Sequence, residues 1–274
     1  MARANGVPAG VDTNTASPAR MYNYMLGGRH NFPVDRATIE RLRAEMPDLA
    51  DAAWANRGFH GRAAIWMAKR GIRQFLDLGC GLPMQNNTHQ AVHKIAPAAR
   101  VVYVDIDPMI GLLASELSAG NGTTAVIHAD LRDPASVLDN PDVRALIDFT
   151  EPAGLLMTAV MQFVADAGDP WALVARYVGA IAPGSYLALS HSTADRLPLR
   201  VVQGWAEAYE RAPQRVHPRS RAEVARFFEG LDVVPPWPGA QSALTYPGLW
   251  GAEDPVAADS DGSRAFYCAV ARRW

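Results

Sequence analysis

Cysteine is scarce in this chain: Cys80 and Cys268 are the only two among 274 residues, and no Cys-x-x-Cys pair occurs. Two isolated cysteines cannot build a disulfide framework or a thiolate zinc site, which excludes disulfide-rich secreted scaffolds and zinc-thiolate modules. His89 and His93 stand four apart, but no third ligand accompanies them, so a pair on a helix surface is favoured over a metal site. We therefore expect no metal and a reducing, cytoplasmic environment.

A strong charge of one sign is also missing, and so are long apolar runs. The 26 basic and 28 acidic residues give a net charge of −2, which leaves no broad cationic field for nucleic-acid phosphates or an anionic membrane. No uncharged apolar stretch reaches membrane-spanning length, and residues 1–18 lack the apolar core of a signal peptide. We expect neither a nucleic-acid partner nor membrane association.

What the chain does have is length and apolar content, since 49% of its residues are hydrophobic. That is enough for one large domain with a well-filled core. Residues 1–18 are small and polar and predict a flexible N-terminal arm. Residues 19–274 predict a single domain, with a helical cap over 19–72 and a Rossmann-like core over 73–274.

The core alternates solid apolar runs with helical periodicity, which predicts an α/β fold with a seven-stranded, mostly parallel sheet and helices on both faces. The predicted strands are 74–78, 101–105, 125–129, 155–160, 186–190, 231–234 and 265–271, the last two as a hairpin. The predicted helices are 34–45, 52–70, 84–95, 108–118, 134–138, 170–181, 199–211 and 219–228.

A glycine turn follows the first predicted strand, in the sequence QFLDLGCGLP with Asp77, Gly79 and Gly81. Open α/β sheets bind ligands at this position, and glycine lets the backbone approach a nucleotide closely. Met84 replaces the last glycine of the dinucleotide fingerprint, and no GxxxxGK[ST] loop occurs, so a pyrophosphate cradle is disfavoured. S-adenosylmethionine has no pyrophosphate and fits this turn, although a tight turn without any ligand is an equal alternative.

Acidic residues end the next two predicted strands. Asp105, in VVYVDIDP, can accept hydrogen bonds from both ribose hydroxyls, and Ile106 can pack on the adenine. Asp107 precedes a proline and is expected to cap the following turn instead. Asp130 can accept the adenine amine and Leu131 can supply apolar contact, although Asp130 as a turn-forming acid is nearly as good an interpretation.

The end of the fourth predicted strand, residues 158–162 including Ala159, is expected to border the reactive methyl group. Methyl transfer is a direct displacement on carbon, and it needs a general base only when the acceptor must lose a proton. His191 and His30 are candidates for that base. A hydrogen-bonded structural histidine is the favoured interpretation of each.

These motifs together resemble an actinobacterial family of S-adenosylmethionine-dependent methyltransferases, formerly described as a domain of unknown function. The most specific segment is ARMYNYMLGGRHNFPVDR, and the Asn56-Arg57 pair and the strand-end motifs also match. The resemblance implies that Tyr24, Gly27 and Arg57 join the cofactor site. It also implies a histidine where this chain has Gln162, which makes Gln162 a third catalytic candidate.

The sequence therefore favours an S-adenosylmethionine-dependent enzyme that methylates a small molecule. The sequence is also compatible with a different class of protein, a module that binds S-adenosylmethionine or its demethylated product without catalysis. A nicotinamide-dependent reductase is disfavoured by Met84. The methyl acceptor and the oligomeric state are left open by the pattern.

Overall fold

The computed structural model describes residues 7, 10–112, 114, 122–210, 212 and 214–274. The predicted N-terminal arm and the predicted helix 108–118 therefore lie partly outside the described residues. Within the latter range, Pro108–Ile110 forms a 3-10 turn.

A single seven-stranded sheet forms the centre of the molecule, with the spatial order β3-β2-β1-β4-β5-β7-β6. The first five strands are mutually parallel, and β7 runs antiparallel to both β5 and β6. This confirms the predicted fold class. The strands are β1 (Gln74–Leu78), β2 (Arg100–Asp105), β3 (Thr124–His128), β4 (Gly154–Thr158), β5 (Tyr186–Ser192), β6 (Asp232–Val233) and β7 (Phe266–Arg272).

The strand order reverses at β1, which pairs with β2 on one side and with β4 on the other. The chain therefore leaves the carboxyl ends of β1 and β4 in opposite directions, which opens a crevice there. The position of the functional site therefore follows from the strand order of the sheet.

Helices cover both faces of the sheet, and several begin at a proline, which suits the first helical position because its N–H has no helical partner. The helices are α1 (Pro18–Met25), α2 (Pro33–Glu45), α3 (Leu49–Lys69), α4 (Thr88–Val92), α5 (Pro134–Leu138), α6 (Pro141–Leu146), α7 (Pro170–Ala180), α8 (Leu199–Glu210) and α9 (Arg221–Ala225).

Several elements differ from prediction, and three of these differences lie close to the strand ends or the N-terminal segment. The helix predicted over 84–95 is confined to α4, because Asn86 adopts a positive φ of 58° and Asn87 precedes the helix as its N-cap. β4 ends at Thr158 because Ala159 has a φ of 53°, which leaves the strand conformation. The aromatic segment before α2 is itself a helix, α1.

The N-terminal helices share a separate apolar cluster with α8, in which Met21, Ile39, Leu42 and Trp205 are buried together. Two larger clusters fill the space on the two faces of the sheet. The N-terminal helices are thus packed across the strand ends. In the described part of the chain, no helix combines the length and the apolar character that crossing a membrane requires.

Candidate functional site

A cavity of about 520 Å³ opens at the carboxyl ends of β1, β2 and β4 and continues beneath the N-terminal helices and α8. Its size lies in the range typical of small-ligand sites. Nine of the predicted site residues line it, namely Arg57, Gly79, Gly81, Asp105, Ile106, Asp130, Leu131, Ala159 and Gln162.

The glycine turn forms the floor of this cavity. Gly79 and Gly81 both have a φ of 69°, a left-handed conformation that side chains rarely adopt. A Cβ on Gly79 would overlap the side chain of Val160, whereas a Cβ on Gly81 would meet no atom within 4 Å. Gly79 is therefore needed for packing against the β4 loop, and Gly81 leaves open space for a ligand.

Asp105 lies beside that open space and is only 8% exposed. Its Oδ2 accepts the Gly81 N–H at 2.8 Å and its Oδ1 accepts the Asp107 N–H at 2.9 Å. Each carboxylate oxygen keeps further lone pairs, so the group can still accept hydrogen bonds from a ligand. Burial raises the pKa of Asp105, and a partner that donates to the carboxylate would offset this cost.

Asp107 is the N-cap of the turn at Pro108–Ile110, as predicted, since its Oδ1 accepts the Met109 N–H at 2.9 Å. Its Oδ2 also accepts the hydroxyl of Ser17, at the start of α1. The N-terminal segment is thereby tied to the rim of the cavity.

Asp77 was predicted at the cofactor site, but it does not line the cavity. It is buried behind the glycine turn, where Thr88 Oγ1 donates to its Oδ2 at 2.5 Å. Burial raises the pKa of Asp77 to about 6. The residue supports the turn from behind and has no direct access to the cavity.

His60, on α3, connects Asp77 to the cavity wall. Its Nε2 lies 2.7 Å from Thr88 Oγ1 and its Nδ1 lies 2.9 Å from Thr158 Oγ1. Because the Thr88 hydroxyl donates to Asp77, His60 Nε2 must donate to Thr88, and His60 Nδ1 then accepts the Thr158 hydroxyl. Burial lowers the pKa of His60 to about 3, so the ring is neutral and both nitrogens are engaged.

Asp130 reaches the cavity, but its carboxylate is already occupied. Arg132 donates to it from Nε and Nη2 and from its own backbone N–H. Burial raises the pKa of Asp130 and the Arg132 hydrogen bonds lower it, with a net downward shift. The predicted bond to an adenine amine would have to compete with this ion pair.

The residues of the N-terminal signature that line the cavity are not the ones predicted. Tyr24 and Gly27 do not line the cavity, and the Tyr24 hydroxyl donates to Glu40 at 2.8 Å instead. Tyr22 does line it. The buried ion pair between Arg20 and Asp35, at 3.0 Å, joins α1 to α2 and is the structural centre of this segment.

Arg57, from α3, lines the same cavity as the glycine turn. Its Nη2 donates to the carbonyls of Gln85 and Asn86 and to the Asn87 side chain. Its Nε is buried and has no partner among the described residues. A buried unpaired donor carries a free-energy cost that a bound acceptor group would remove.

Neither predicted histidine base lines the cavity. His191 is fully buried, where its Nε2 accepts Arg219 Nη1 at 2.7 Å and its Nδ1 donates to the Ser192 carbonyl at 2.7 Å. Burial lowers the pKa of His191 to about 3. His30, in the loop before α2, is likewise outside the lining, but its Nδ1 is buried without a partner among the described residues, so the hydrogen-bonded structural interpretation is supported for His191 only.

The two parts of the cavity differ in chemistry. The strand-end wall, formed by Gly79, Gly81, Asp105 and Ala159, presents backbone groups and a carboxylate. The apolar chamber lies beyond it and is lined by Ile39, Leu42, Leu49, Trp205, Val216 and Phe266, all of which belong to the cluster shared by the N-terminal helices and α8. Gln162 and Phe163, which follow β4, also line the cavity, and the Phe163 ring lies 5.9 Å from the ring of Tyr209 on α8.

The sequence did not single out His60, Trp205 or Tyr209, and it placed Thr158 only within the segment 158–162. The contact between His60 and Thr158 spans 98 positions, so no local pattern could reveal it. Trp205 and Tyr209 are four apart on an amphipathic helix, and that spacing is the ordinary sign of a core face.

Comparison with known proteins agrees with this architecture. A crystal structure from Thermobifida fusca is 34% identical, covers 98% of this chain and 99% of that chain, and superposes with a TM-score of 0.88. A DUF574 family protein from Streptomyces avermitilis is 38% identical, covers 96% of this chain and 99% of that chain, and has the same TM-score.

A curated Roseiflexus protein described as uroporphyrinogen decarboxylase is 26% identical over 165 residues, which are 58% of this chain. The alignment covers 46% of that protein, so the chain spans about half the length of this relative. The family model described as S-adenosyl methyltransferase matches residues 4–274, and S-adenosylmethionine is the cofactor of such enzymes. The chain therefore belongs to the S-adenosyl methyltransferase family.

Proposed function

We propose that this protein transfers the methyl group of S-adenosylmethionine to a small molecule bound in the same cavity. The observation that carries the proposal is Asp105, a buried carboxylate that borders the open space beside Gly81. Family membership supports the cofactor, and the position of the cavity at the strand ends supports its placement.

The strand-end wall, together with Ile106 and Arg57 from the same cavity lining, fits S-adenosylmethionine. Asp105 keeps acceptor lone pairs for the ribose hydroxyls, and Ile106, which is 39% exposed, offers an apolar surface to the adenine. Arg57 Nε is an unpaired donor that can meet the carboxylate of the methionine part. When bound, the cofactor supplies an electrophilic methyl group on a positively charged sulfur.

A small acceptor is supported by the enclosure of the site. The helices over residues 19–72, which we propose act as a cap on the core, cover the strand ends together with α8. A net charge of −2 also offers no broad attraction to a polyanion. The chain's own contribution to catalysis would be orientation of the acceptor and exclusion of water.

Calorimetric titration with S-adenosylmethionine, S-adenosylhomocysteine and NADP tests the cofactor assignment. We expect the first two to bind and NADP to give no heat of binding. A labelled-methyl assay over a small-molecule extract then tests turnover. Binding of NADP alone would overturn the assignment, and cofactor binding without transfer to any component would favour a binding module.

A further inference from the structure

The six side chains that define the apolar chamber carry no ionisable group, although α3 also contributes Arg57 and His60 to the described lining of the cavity and α1 contributes Arg20. The described lining of the chamber comes from α2, α3, α8, Val216 and Phe266 and is aliphatic or aromatic. Tyr209 is the titratable side chain there, and burial raises the pKa of its phenol, so this phenol stays protonated. A ligand in the chamber is therefore held mainly by apolar and ring contacts.

Each group that could serve as a general base near the chamber is already engaged. Both nitrogens of His60 are hydrogen bonded to threonine hydroxyls. Among the described lining carboxylates, Asp107 accepts from Met109 and Ser17, and Asp130 is paired with Arg132. Asp105 accepts two backbone N–H groups and is assigned to the ribose hydroxyls under the proposed function, and Asp12 is an exposed residue that accepts the Asn14 N–H.

Gln162 supplies a side-chain donor in the cavity that the chamber and the strand-end wall share. The residue is 6% exposed, and its Oε1 lies 3.4 Å from the Ser192 backbone nitrogen, which can only donate. The amide NH₂ therefore faces away from Ser192, and the bond to Ser192 is the side-chain hydrogen bond that Gln162 makes within the described chain. Phe163, the next residue in the chain, lines the same cavity, and its ring lies 5.9 Å from the ring of Tyr209.

The donor restricts the chemistry of the acceptor atom. An amine nitrogen has one lone pair, and a hydrogen bond from Gln162 would occupy the pair that must attack the methyl group. An oxygen anion has additional lone pairs and can accept the bond and attack at once. A neutral hydroxyl would have to lose a proton, and no lining group described above is free to take it.

This inference rests on the proposed methyl transfer and concerns its acceptor. We propose that the apolar chamber binds a ring-bearing small molecule with an acidic phenolic or enolic hydroxyl, which enters ionised and is held through its oxygen by the Gln162 side-chain N–H. The oxygen forms a bond to the methyl carbon while the carbon–sulfur bond breaks. The bonding pair goes to sulfur, and the products are a neutral ether and S-adenosylhomocysteine, with no proton released.

Three compounds on one ring system test the proposal: 1-nitro-2-naphthol, which is ionised at neutral pH, 2-naphthol, which is not, and 2-naphthylamine, a neutral amine. The full-length protein is first saturated with S-adenosylhomocysteine and then titrated with each compound by calorimetry. We expect 1-nitro-2-naphthol to bind at least about tenfold more tightly than the other two, the margin of one charge-assisted hydrogen bond.

Methyl transfer from S-adenosylmethionine is then followed against pH. We expect transfer to 1-nitro-2-naphthol at neutral pH, and transfer to 2-naphthol that rises only as this compound itself ionises. Preferred binding or methylation of the amine, methylation of 2-naphthol at a pH where it is protonated, or no binding of 1-nitro-2-naphthol would overturn the proposal.

The variant Gln162→Met, close in shape but without a donor, is expected to weaken binding of 1-nitro-2-naphthol about tenfold and to leave the affinity for S-adenosylhomocysteine unchanged. Unchanged binding of the naphthol would remove Gln162 from the acceptor site. If this variant does not fold, the pH profiles of the unaltered protein still decide the question. Failure of S-adenosylhomocysteine to bind would instead count against the proposed function itself.

Discussion

The strand-end wall and the apolar chamber belong to one cavity, but different parts of the chain build them. The wall is made of turns that directly follow β1, β2 and β4, and its groups are held by backbone hydrogen bonds such as the one from Gly81 to Asp105. The chamber is made of side chains from α2, α3 and α8, which meet only through tertiary packing. The groups assigned to the cofactor are therefore positioned by local turns, whereas the groups assigned to the acceptor are positioned by the packing of helices.

We expect the largest loss of stability from breaking the ion pair between Arg20 and Asp35, which joins α1 to α2. Arg20 and Asp35 are 4% and 0% exposed, and Arg20→Met would leave the Asp35 carboxylate buried without its cation. We expect a loss of about 3 to 5 kcal/mol in the free energy of unfolding, measured with urea. The matched control Arg43→Met removes an exposed pair with Glu40 and should change nothing measurable. Equal effects of the two substitutions would contradict the role given to the buried pair.

We expect the stability contributed by Asp77, which lies behind the strand-end wall, to depend on pH. Burial raises the pKa of Asp77 from 3.8 to about 6, so between these values the folded protein holds more protons than the unfolded chain. Stability from this group is therefore lost as the pH rises from about 4 to 6, by about 3 kcal/mol in total.

Asp77→Asn removes this titration and keeps an acceptor for Thr88. We expect the stability of the wild type relative to Asp77→Asn to fall as the pH rises through that window, as measured by urea unfolding at several pH values. The low pKa of His60 gives the opposite pH trend but is present in both proteins. A difference between the two proteins that does not vary with pH would show that Asp77 is not buried in this way.

The turn after β1 contains two glycines whose substitution by alanine can be compared directly. Gly79 and Gly81 have the same φ of 69°, but only at Gly79 would an added Cβ overlap Val160. Gly79→Ala should therefore cost about 2 kcal/mol more than Gly81→Ala, because the backbone strain is shared and the overlap is not. Thermal and urea unfolding check this order, and a larger cost at Gly81 would contradict the packing described for the turn.

The sequence predicted the strand-end wall well because local rules determine it. The apolar run of β1 ends where the glycines begin, and its predicted bounds of 74–78 are those observed. The cap role of Asp107 follows in the same way from the proline after it. Such features depend on residues that are neighbours in the chain.

The rest of the site depends on contacts between distant residues, which no local pattern reveals. Asp77 has the sequence position of a cofactor ligand, but Thr88 and His60 turn its carboxylate away from the cavity. Tyr24 is in the family signature, yet it faces Glu40, whereas Tyr22 reaches the cavity. The apolar periodicity of α8 predicts a buried face but not that part of the face lines a cavity.

The division of the cavity is tested most directly by titrating two variants with two ligands. Asp105→Ala should weaken S-adenosylmethionine binding by about 1 to 3 kcal/mol, the cost of losing hydrogen bonds to a charged group, while 1-nitro-2-naphthol still binds. Gln162→Met should show the reverse pattern. Unchanged cofactor affinity in Asp105→Ala, or equal losses of both ligands in both variants, would contradict the account.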